Sequence, residues 1–279
     1  MDDRQLEEAY ELACRLTKEC GPIVLDGFLN ISKTVETKGN RHWDVVTDYD
    51  RRVEEVLIQG LKKRFPDHRM LGEESTTAEN RREPLDQRPT WIIDPIDGTN
   101  NFVRGVKFIA ISVALVVGGD LKIGIVFNPC LDEFYSAAKG KGAFLNGQKI
   151  TTSGIQDLKS SLVGHEFSIA SHQGARPYIF GRGCEFIKEC TGLRAFGSAA
   201  LTLAYLASGN IDVYTIEMLA PWDIAAGALL IREAGGTVMN INGGEYDILK
   251  PDIIAAASDK LAQRVLEIVR KVNDDVEQK

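Results

Sequence analysis

The chain has 279 residues, with 33 lysines and arginines against 40 aspartates and glutamates, a formal net charge of −7. That balance argues against nucleic-acid binding, which asks for a basic face, while 44% hydrophobic and 26% charged residues give an ordinary globular composition with ample core material. The length allows one large α/β domain or two modest ones, and with no repeat, linker or low-complexity tract a single domain over residues 1–279 is expected.

The first eight residues are acidic and lack the apolar segment of a signal peptide. The longest apolar stretch, 108–117, is too short to span a bilayer. Five cysteines, odd in number and without a Cys-x-x-Cys pair, read as reduced thiols. The Asn30-Ile31-Ser32 sequon carries no weight without a secretory signal. A cytoplasmic protein with no membrane partner is the expectation.

Residues 4–29 have helical spacing, with Leu6, Ala9, Tyr10, Ala13 and Leu16 on one face. A second amphipathic helix is predicted over 48–64, with Val53, Val56, Leu57 and Leu61 inward and Arg51, Arg52, Glu54, Glu55, Lys62 and Lys63 outward. Apolar, β-branched runs at 90–93, 108–117 and 121–127 predict buried strands, the last two joined by a Gly118-Gly119-Asp120 hairpin turn. Segments 134–138 and 143–149 continue that sheet through an Asn146-Gly147 turn. Next come a strand at 161–166, an irregular stretch to about 183, a strand at 193–196 and a helix over 198–207 capped by Ser198. A short strand at 212–214 precedes a helix over 223–234 stopped by Gly235-Gly236. Strands at 237–239 and 252–257 and a capped helix over 258–272 finish a mixed, layered α/β chain.

The chemistry gathers where the 90–93 strand runs into Asp94-Pro95-Ile96-Asp97-Gly98-Thr99. Pro95 fixes its own φ and blocks the ladder, so the chain is expected to turn there. Such a turn can aim Asp94, Asp97 and the Ile96 carbonyl at one point, an oxygen-only site for a hard cation. Gly98 permits close backbone approach, and a short helix starting at Thr99 offers free N–H groups to a phosphate. An Asp-rich turn closed by its own hydrogen bonds is the competing reading. Glu73 and Glu74 follow a predicted strand, and Glu74 alone reads as a surface acid or a salt-bridge partner; Asp223 alone is most simply an N-cap. Together, Glu73, Asp94, Asp97 and Asp223 supply oxygens with no His or Cys beside them, which selects Mg²⁺ or Mn²⁺ over zinc. His42, His68, His165 and His172 read as structural or surface residues, and Trp91 and Trp222 as packing. No G-x-G-x-x-G opens a helix after a strand and no P-loop is present, which argues against a nucleotide-binding oxidoreductase.

In order and separation, Gly72-Glu73-Glu74-Ser75, the Asp94 to Thr99 run and the Trp222 to Gly227 run resemble the three signatures of the inositol monophosphatase family. Weaker similarity covers nearly the whole chain. Asp44-Val45-Val46-Thr47-Asp48-Tyr49-Asp50, preceded by Lys38-Gly39, resembles the family's Asp-x-Val-Thr-x-x-Asp segment, whose Thr-x-x-Asp spacing favours Asp50 over Asp48. Gly197-Ser198-Ala199-Ala200 resembles its Gly-Ser/Thr-Ala-Ala turn.

The resemblance implies a layered α/β/α/β/α sandwich of the sugar-phosphatase type, a homodimer, sensitivity to Li⁺, and Mg²⁺-dependent hydrolysis of a phosphate monoester, myo-inositol monophosphate first. It implies two or three ions, with Mn²⁺ as the alternative metal. Glu73, Asp94 and the Ile96 carbonyl would bind the first, Asp94, Asp97 and Asp223 the second, and a weaker third would sit near Glu73. Thr99 with Glu73 would orient and deprotonate a metal-activated water, Asp50 would hydrogen-bond Thr99, and the Gly98 and Thr99 amides would hold phosphate oxygens. Lys38, Asp97, Ser168, Ser198, Ala199, Glu217 and Asp223 complete the substrate contacts.

The chain departs from the family before Trp222. The glutamate that reads sugar hydroxyls there falls on Ile216 in an ungapped comparison, and Glu217 stands one position late. A group that reads a hydroxyl contributes strongly to discrimination. A broad-specificity sugar-phosphate or 3′-phosphonucleotide phosphatase is therefore the alternative within the superfamily. A catalytically silent metal-binding homologue is the alternative of another class, expected to have lost one of Glu73, Asp94, Asp97, Thr99 or Asp223.

Overall fold

The computed structural model describes residues 1–30, 33–38, 45–79 and 85–278; Ile31, Ser32, Gly39, His42 and Asp44 lie outside them. In chain order the elements are α1 (Asp3–Leu29), β1 (Val35–Thr37), β2 (Val45–Thr47), α2 (Asp48–Arg64), β3 (Arg69–Gly72), α3 (Glu73–Glu79), β4 (Thr90–Asp97) and α4 (Thr99–Arg104). Strands β5 (Ala110–Val117), β6 (Asp120–Asn128), β7 (Glu133–Ala138), β8 (Gly142–Leu145), β9 (Gln148–Ile150) and β10 (Leu162–His165) follow. Then come α5 (Arg176–Glu189), β11 (Gly192–Arg194), α6 (Ala199–Ala207), β12 (Val213–Ile216), α7 (Pro221–Glu233), β13 (Thr237–Asn240), β14 (Ile253–Ala256) and α8 (Asp259–Glu277).

Two large sheets carry the fold. The first has seven strands in the order β3-β4-β5-β6-β7-β8-β9, with only the β3–β4 pair parallel. The second has five, in the order β11-β10-β12-β14-β13. Because successive strand residues point to opposite faces, Trp91 and Ile93 enter one core with α1 and α2, while Ile92 enters another with α6 and α7. That second core also receives Tyr214, Ile216, Ile253 and Ala255 from the five-stranded sheet, whose other face sends Val213, Ile254 and Ala256 towards α8 and Phe186 of α5. The layers are thus α1–α2, sheet, α6–α7, sheet, α5–α8, as expected. Strands buried on both faces read as continuous apolar runs.

Three local differences have physical causes. The β4 strand continues through Pro95 to Asp97 instead of turning, and its register against β5 shifts between Asp94 and Asp97. A bulge accommodates the missing N–H there and re-aims the side chains. The stretch before residue 183, expected to be irregular, holds the first half of α5. Pro177 in its first turn is compatible with a helix start; Gly181 and Gly183 lower its propensity, and packing of Ile179 and Phe186 overrides them. Finally, α7 begins at Pro221 with Ala220 at its N-cap, so Asp223 lies inside the first turn and is not the cap.

Candidate active site

Helix beginnings converge on one group of acids. Asp50 sits in the first turn of α2, Glu73 and Glu74 open α3, Thr99 opens α4, and Asp223 lies in the first turn of α7. The start of α6 faces Asp97, which accepts from the Ser198 hydroxyl, the Ala200 N–H at 2.8 Å and the Ala199 N–H at 3.3 Å. Unsatisfied helix N–H groups and the helix dipole favour negative charge at these positions.

At the centre, Asp94, Asp97 and Asp223 bring carboxylate oxygens within 4.8 Å of one another. Asp94 accepts the Ile96 N–H at 3.1 Å, and Asp223 accepts the Ala220 N–H at 2.7 Å. Burial, then repulsion from Glu73, Asp97 and Asp223, holds Asp94 well above the usual carboxylate range; burial, then Asp97 and Glu73, does the same to Asp223. Burial raises Asp97 to about 6 against the opposing bonds from Ser198, Ala200 and Ala199. Crowded, buried carboxylates of this kind are what a hard divalent cation with oxygen ligands relieves, so the residues fit such an ion.

Around the centre, the Thr99 hydroxyl donates either to the Ile96 carbonyl at 3.0 Å or to Asp50 at 3.4 Å. Asp50 is fully buried, raised to about 6 by burial, and held by the Thr47 hydroxyl and the Thr47 N–H at 2.9 Å. The Lys38 ammonium bridges Glu73 at 2.6 Å and Glu74 at 2.8 Å. Burial draws Lys38 down, and the two glutamates outweigh it and hold it above its ordinary value. Glu74, raised by burial and by Glu73, stands at about 7. Glu54, expected on the outer face of its helix, is buried and accepts the Glu74 N–H at 2.8 Å and the Ser75 N–H at 2.9 Å, fixing the start of α3. Gly72 makes that possible, because a Cβ there would lie 2.5 Å from the Glu54 carboxylate. Gly98, at φ +87° and hemmed in by the Gly197 and Phe108 carbonyls, is the left-handed N-cap of α4.

A cavity of about 430 Å³ opens over this centre, and Lys38, Glu73, Gly98, Thr99, Ser168 and Asp223 line it. Ser198 and Ala199 meet Asp97, and Ile96 is buried with its carbonyl on Thr99. The Glu217 carboxylate pairs with Arg182 of α5 at 3.0 Å and lines a neighbouring cavity, next to the one over the acids. His172, read as structural or surface, lines both cavities, and Asn100, Ile169, Ser171, Met218 and Leu219 also line the first. Asn100 follows Thr99 in α4, while the others carried no local signal, since they arrive from the segment before α5 and the β12–α7 loop. Glu166 was also missed: buried at the end of β10, it accepts the Phe196 N–H at 2.8 Å and the Gly197 N–H at 3.1 Å, and so holds the turn before Ser198.

Comparison with known proteins decides the family. A profile of the inositol monophosphatase family matches residues 5–274. The chain belongs to the inositol monophosphatase family. It is 40% identical to inositol monophosphatase 2 of Solanum lycopersicum over 244 residues, 87% of this chain and 91% of that one. The crystal structure of the extragenic suppressor protein SuhB from Bartonella henselae superposes with a TM-score of 0.84 at 30% identity, covering 94% of this chain and 98% of that one. Inositol monophosphatase II of Staphylococcus aureus, solved with inositol monophosphate and with 2′-AMP, is 26% identical, with TM-scores of 0.79 and 0.80 and 96% of each chain covered. The chain is therefore a phosphatase of a metal-dependent family, acting on phosphate monoesters, and its acidic centre is where a metal could bind. Among the described residues no helix is long and apolar enough to cross a membrane.

Proposed function

We propose that the chain is a Mg²⁺-dependent phosphomonoesterase, one catalytic domain over its whole length, that accepts myo-inositol monophosphate and releases inositol and phosphate. The observation that carries this reading is the approach of Asp94, Asp97 and Asp223 within 4.8 Å, beside the Thr99–Asp50 pair. Asp94, Asp97, Asp223, Glu73 and the Ile96 carbonyl would hold two or three ions, Mg²⁺ or in its place Mn²⁺. Such ions neutralise phosphate charge, stabilise the leaving oxygen and lower the pKa of water.

The chain's own groups do the rest. Phosphoryl transfer needs positioning and charge compensation more than a covalent partner. The Gly98 and Thr99 amides point phosphate oxygens at the centre, and Lys38 and Ser168 bound the same cavity. Thr99 orients the attacking water and, with Glu73, takes its proton, while Asp50 fixes the Thr99 hydroxyl. Glu73, Asp94, Asp97, Thr99 and Asp223, one of which a silent homologue would be expected to have lost, are all present. Homodimerisation, a cytoplasmic location and inhibition by millimolar Li⁺ belong to the same reading.

A second reading, broad specificity over sugar and nucleoside monophosphates, is favoured by the pairing of Glu217 with Arg182. Both are tested by phosphate release with Mg²⁺ from inositol 1-phosphate, 2′-AMP, 3′-phosphoadenosine 5′-phosphate and glycerol 2-phosphate, with an EDTA control. Release lost in EDTA supports the phosphatase reading, and release unaffected by EDTA or absent from every ester refutes it. A flat Li⁺ response would count against the inhibition alone.

A further inference from the structure

Among the described residues three non-glycine residues have positive φ: Asp132, Asn146 and Met218. Asp and Asn tolerate the left-handed region, and a methionine there must be held. Met218, at φ +63°, is held from two sides. Its N–H donates to Asp252 at 2.7 Å, and the preceding Glu217 is pinned at 3.0 Å by Arg182. Arg182 is itself fixed: its side chain is 4% exposed, it donates to Asn273 at 3.0 Å, and it lies over the Tyr178 ring. What these anchors present is the Met218 side chain, 52% exposed, lining both the cavity over the acids and the neighbouring cavity of about 560 Å³. Strain retained at a cavity rim by a half-buried ion pair and a backbone hydrogen bond points to a use for the side chain it displays.

We propose that Met218 determines the leaving-group specificity of this site, with Glu217 and Arg182 as its positioning residues, so that the chain prefers monophosphate esters whose leaving group has an aromatic or apolar face over those of a polyol. The inference rests on the phosphatase reading and names its substrate class. A cyclitol brings five free hydroxyls into the cavity, each costly when desolvated without a partner. The carboxylate expected to read them is turned to Arg182, and Met218 and Leu219, with Ile169 elsewhere on the wall, give the cavity an apolar side beside Ser168, Ser171 and His172. A thioether packs well against an aromatic ring and adapts to its shape, which suits the base of a nucleoside monophosphate.

The test compares 2′-AMP with inositol 1-phosphate in the full chain, Met218→Ser, Glu217→Ala and Glu217→Gln. Wild type is expected to favour 2′-AMP in kcat/KM by about tenfold, the scale of a small apolar contact. Met218→Ser should erase that preference by raising KM for 2′-AMP, with kcat little changed and the melting temperature retained. Glu217→Ala should do the same, and Glu217→Gln, which still accepts from Arg182, should restore it. A larger loss on inositol 1-phosphate than on 2′-AMP in Glu217→Ala would make Glu217 a hydroxyl reader and overturn the proposal. Calorimetric binding of both esters, with Ca²⁺ replacing Mg²⁺, separates the two readings. Tighter 2′-AMP binding without turnover of either ester sinks the phosphatase reading and the leaving-group preference with it; equal or reversed affinities with turnover retained sink this proposal alone.

Discussion

The Ala200 N–H donates to the Asp97 carboxylate at 2.8 Å, tying the last residue of β4 to the start of α6 across 103 positions. Ser198 serves both ends of that contact. Its hydroxyl donates to Asp97, and the same oxygen faces the Leu201 N–H at 3.4 Å as the N-cap of α6. The acid is thereby oriented by a helix terminus, and the helix start is fixed by the acid.

Ser198→Ala should therefore cost in two currencies. Loss of the cap is expected to lower stability by about 1 kcal/mol. Loss of the bond that orients Asp97 is expected to weaken Mg²⁺ activation by roughly 10- to 100-fold, the range for partners of metal ligands. Mg²⁺ titration of phosphate release beside a denaturant melt reads both, and an unchanged Mg²⁺ requirement would show that Asp97 does not need Ser198.

Asp94→Asn addresses the centre. Burial and three neighbouring carboxylates push Asp94 well up, so a neutral amide of the same shape should be tolerated, with the metal-free melting temperature retained or raised. Turnover should fall by roughly 100- to 1,000-fold or more, the scale for losing a group that stabilises the transition state's charge. Near-wild-type phosphate release would remove Asp94 from the proposed metal centre.

Much of this was legible because the informative residues are local. The continuous apolar, β-branched runs at 108–117 and 121–127, the Ser198 and Ser258 caps and the acids around Pro95 each announce themselves within a few residues. What stayed hidden depends on distance. Glu54 reads as an outward helix acid until α3 is placed on it, and Glu166 reads as the end of a strand until the Phe196–Gly197 turn arrives. Glu217 is the sharpest case: one residue of offset was visible, and its partner Arg182 sits in a helix that two glycines disguised. The family signatures identify the acidic centre, while the cavity wall is assembled from segments without a signature.

The acids also set a pH dependence whose sign can be worked out. Asp50 and Asp97 stand at about 6 and Glu74 at about 7, all raised chiefly by burial above the usual carboxylate value of about 4. Between about pH 4 and pH 7 the folded metal-free chain binds more protons at these sites than the unfolded chain does. Their contribution to stability therefore falls as pH rises through that window. In EDTA the melting temperature should decline from pH 5 to pH 7.5 through these groups, and the rise on adding Mg²⁺ should be larger at pH 7.5 than at pH 5. Melting curves at both pH values with and without Mg²⁺ check this, and an Mg²⁺ effect of equal size at both would contradict the assignment of these acids to the cation's surroundings.

Glu166 supplies the last expectation. It takes the Phe196 and Gly197 N–H groups, while the Asn101 side chain donates to the Phe196 carbonyl at 2.7 Å and to the Phe108 carbonyl at 2.8 Å, so the turn before Ser198 is clamped by the residue after β10 and by α4. The Glu166 carboxyl is buried and raised by that burial, and the bonds from Gly197 and Phe196 oppose the rise. Those bonds need an acceptor oxygen, not a charge. Glu166→Gln should keep near-wild-type kcat/KM, because the amide oxygen can accept the same two N–H groups and the charge-burial cost is relieved. Glu166→Ala removes the acceptor from both N–H groups and lets the Ser198 turn drift from Asp97. Its Mg²⁺ requirement should move in the same direction as that of Ser198→Ala, and the double variant should lose less than the sum of the two, because both act through one contact. Additive losses would separate Glu166 from the Ser198–Asp97 pair.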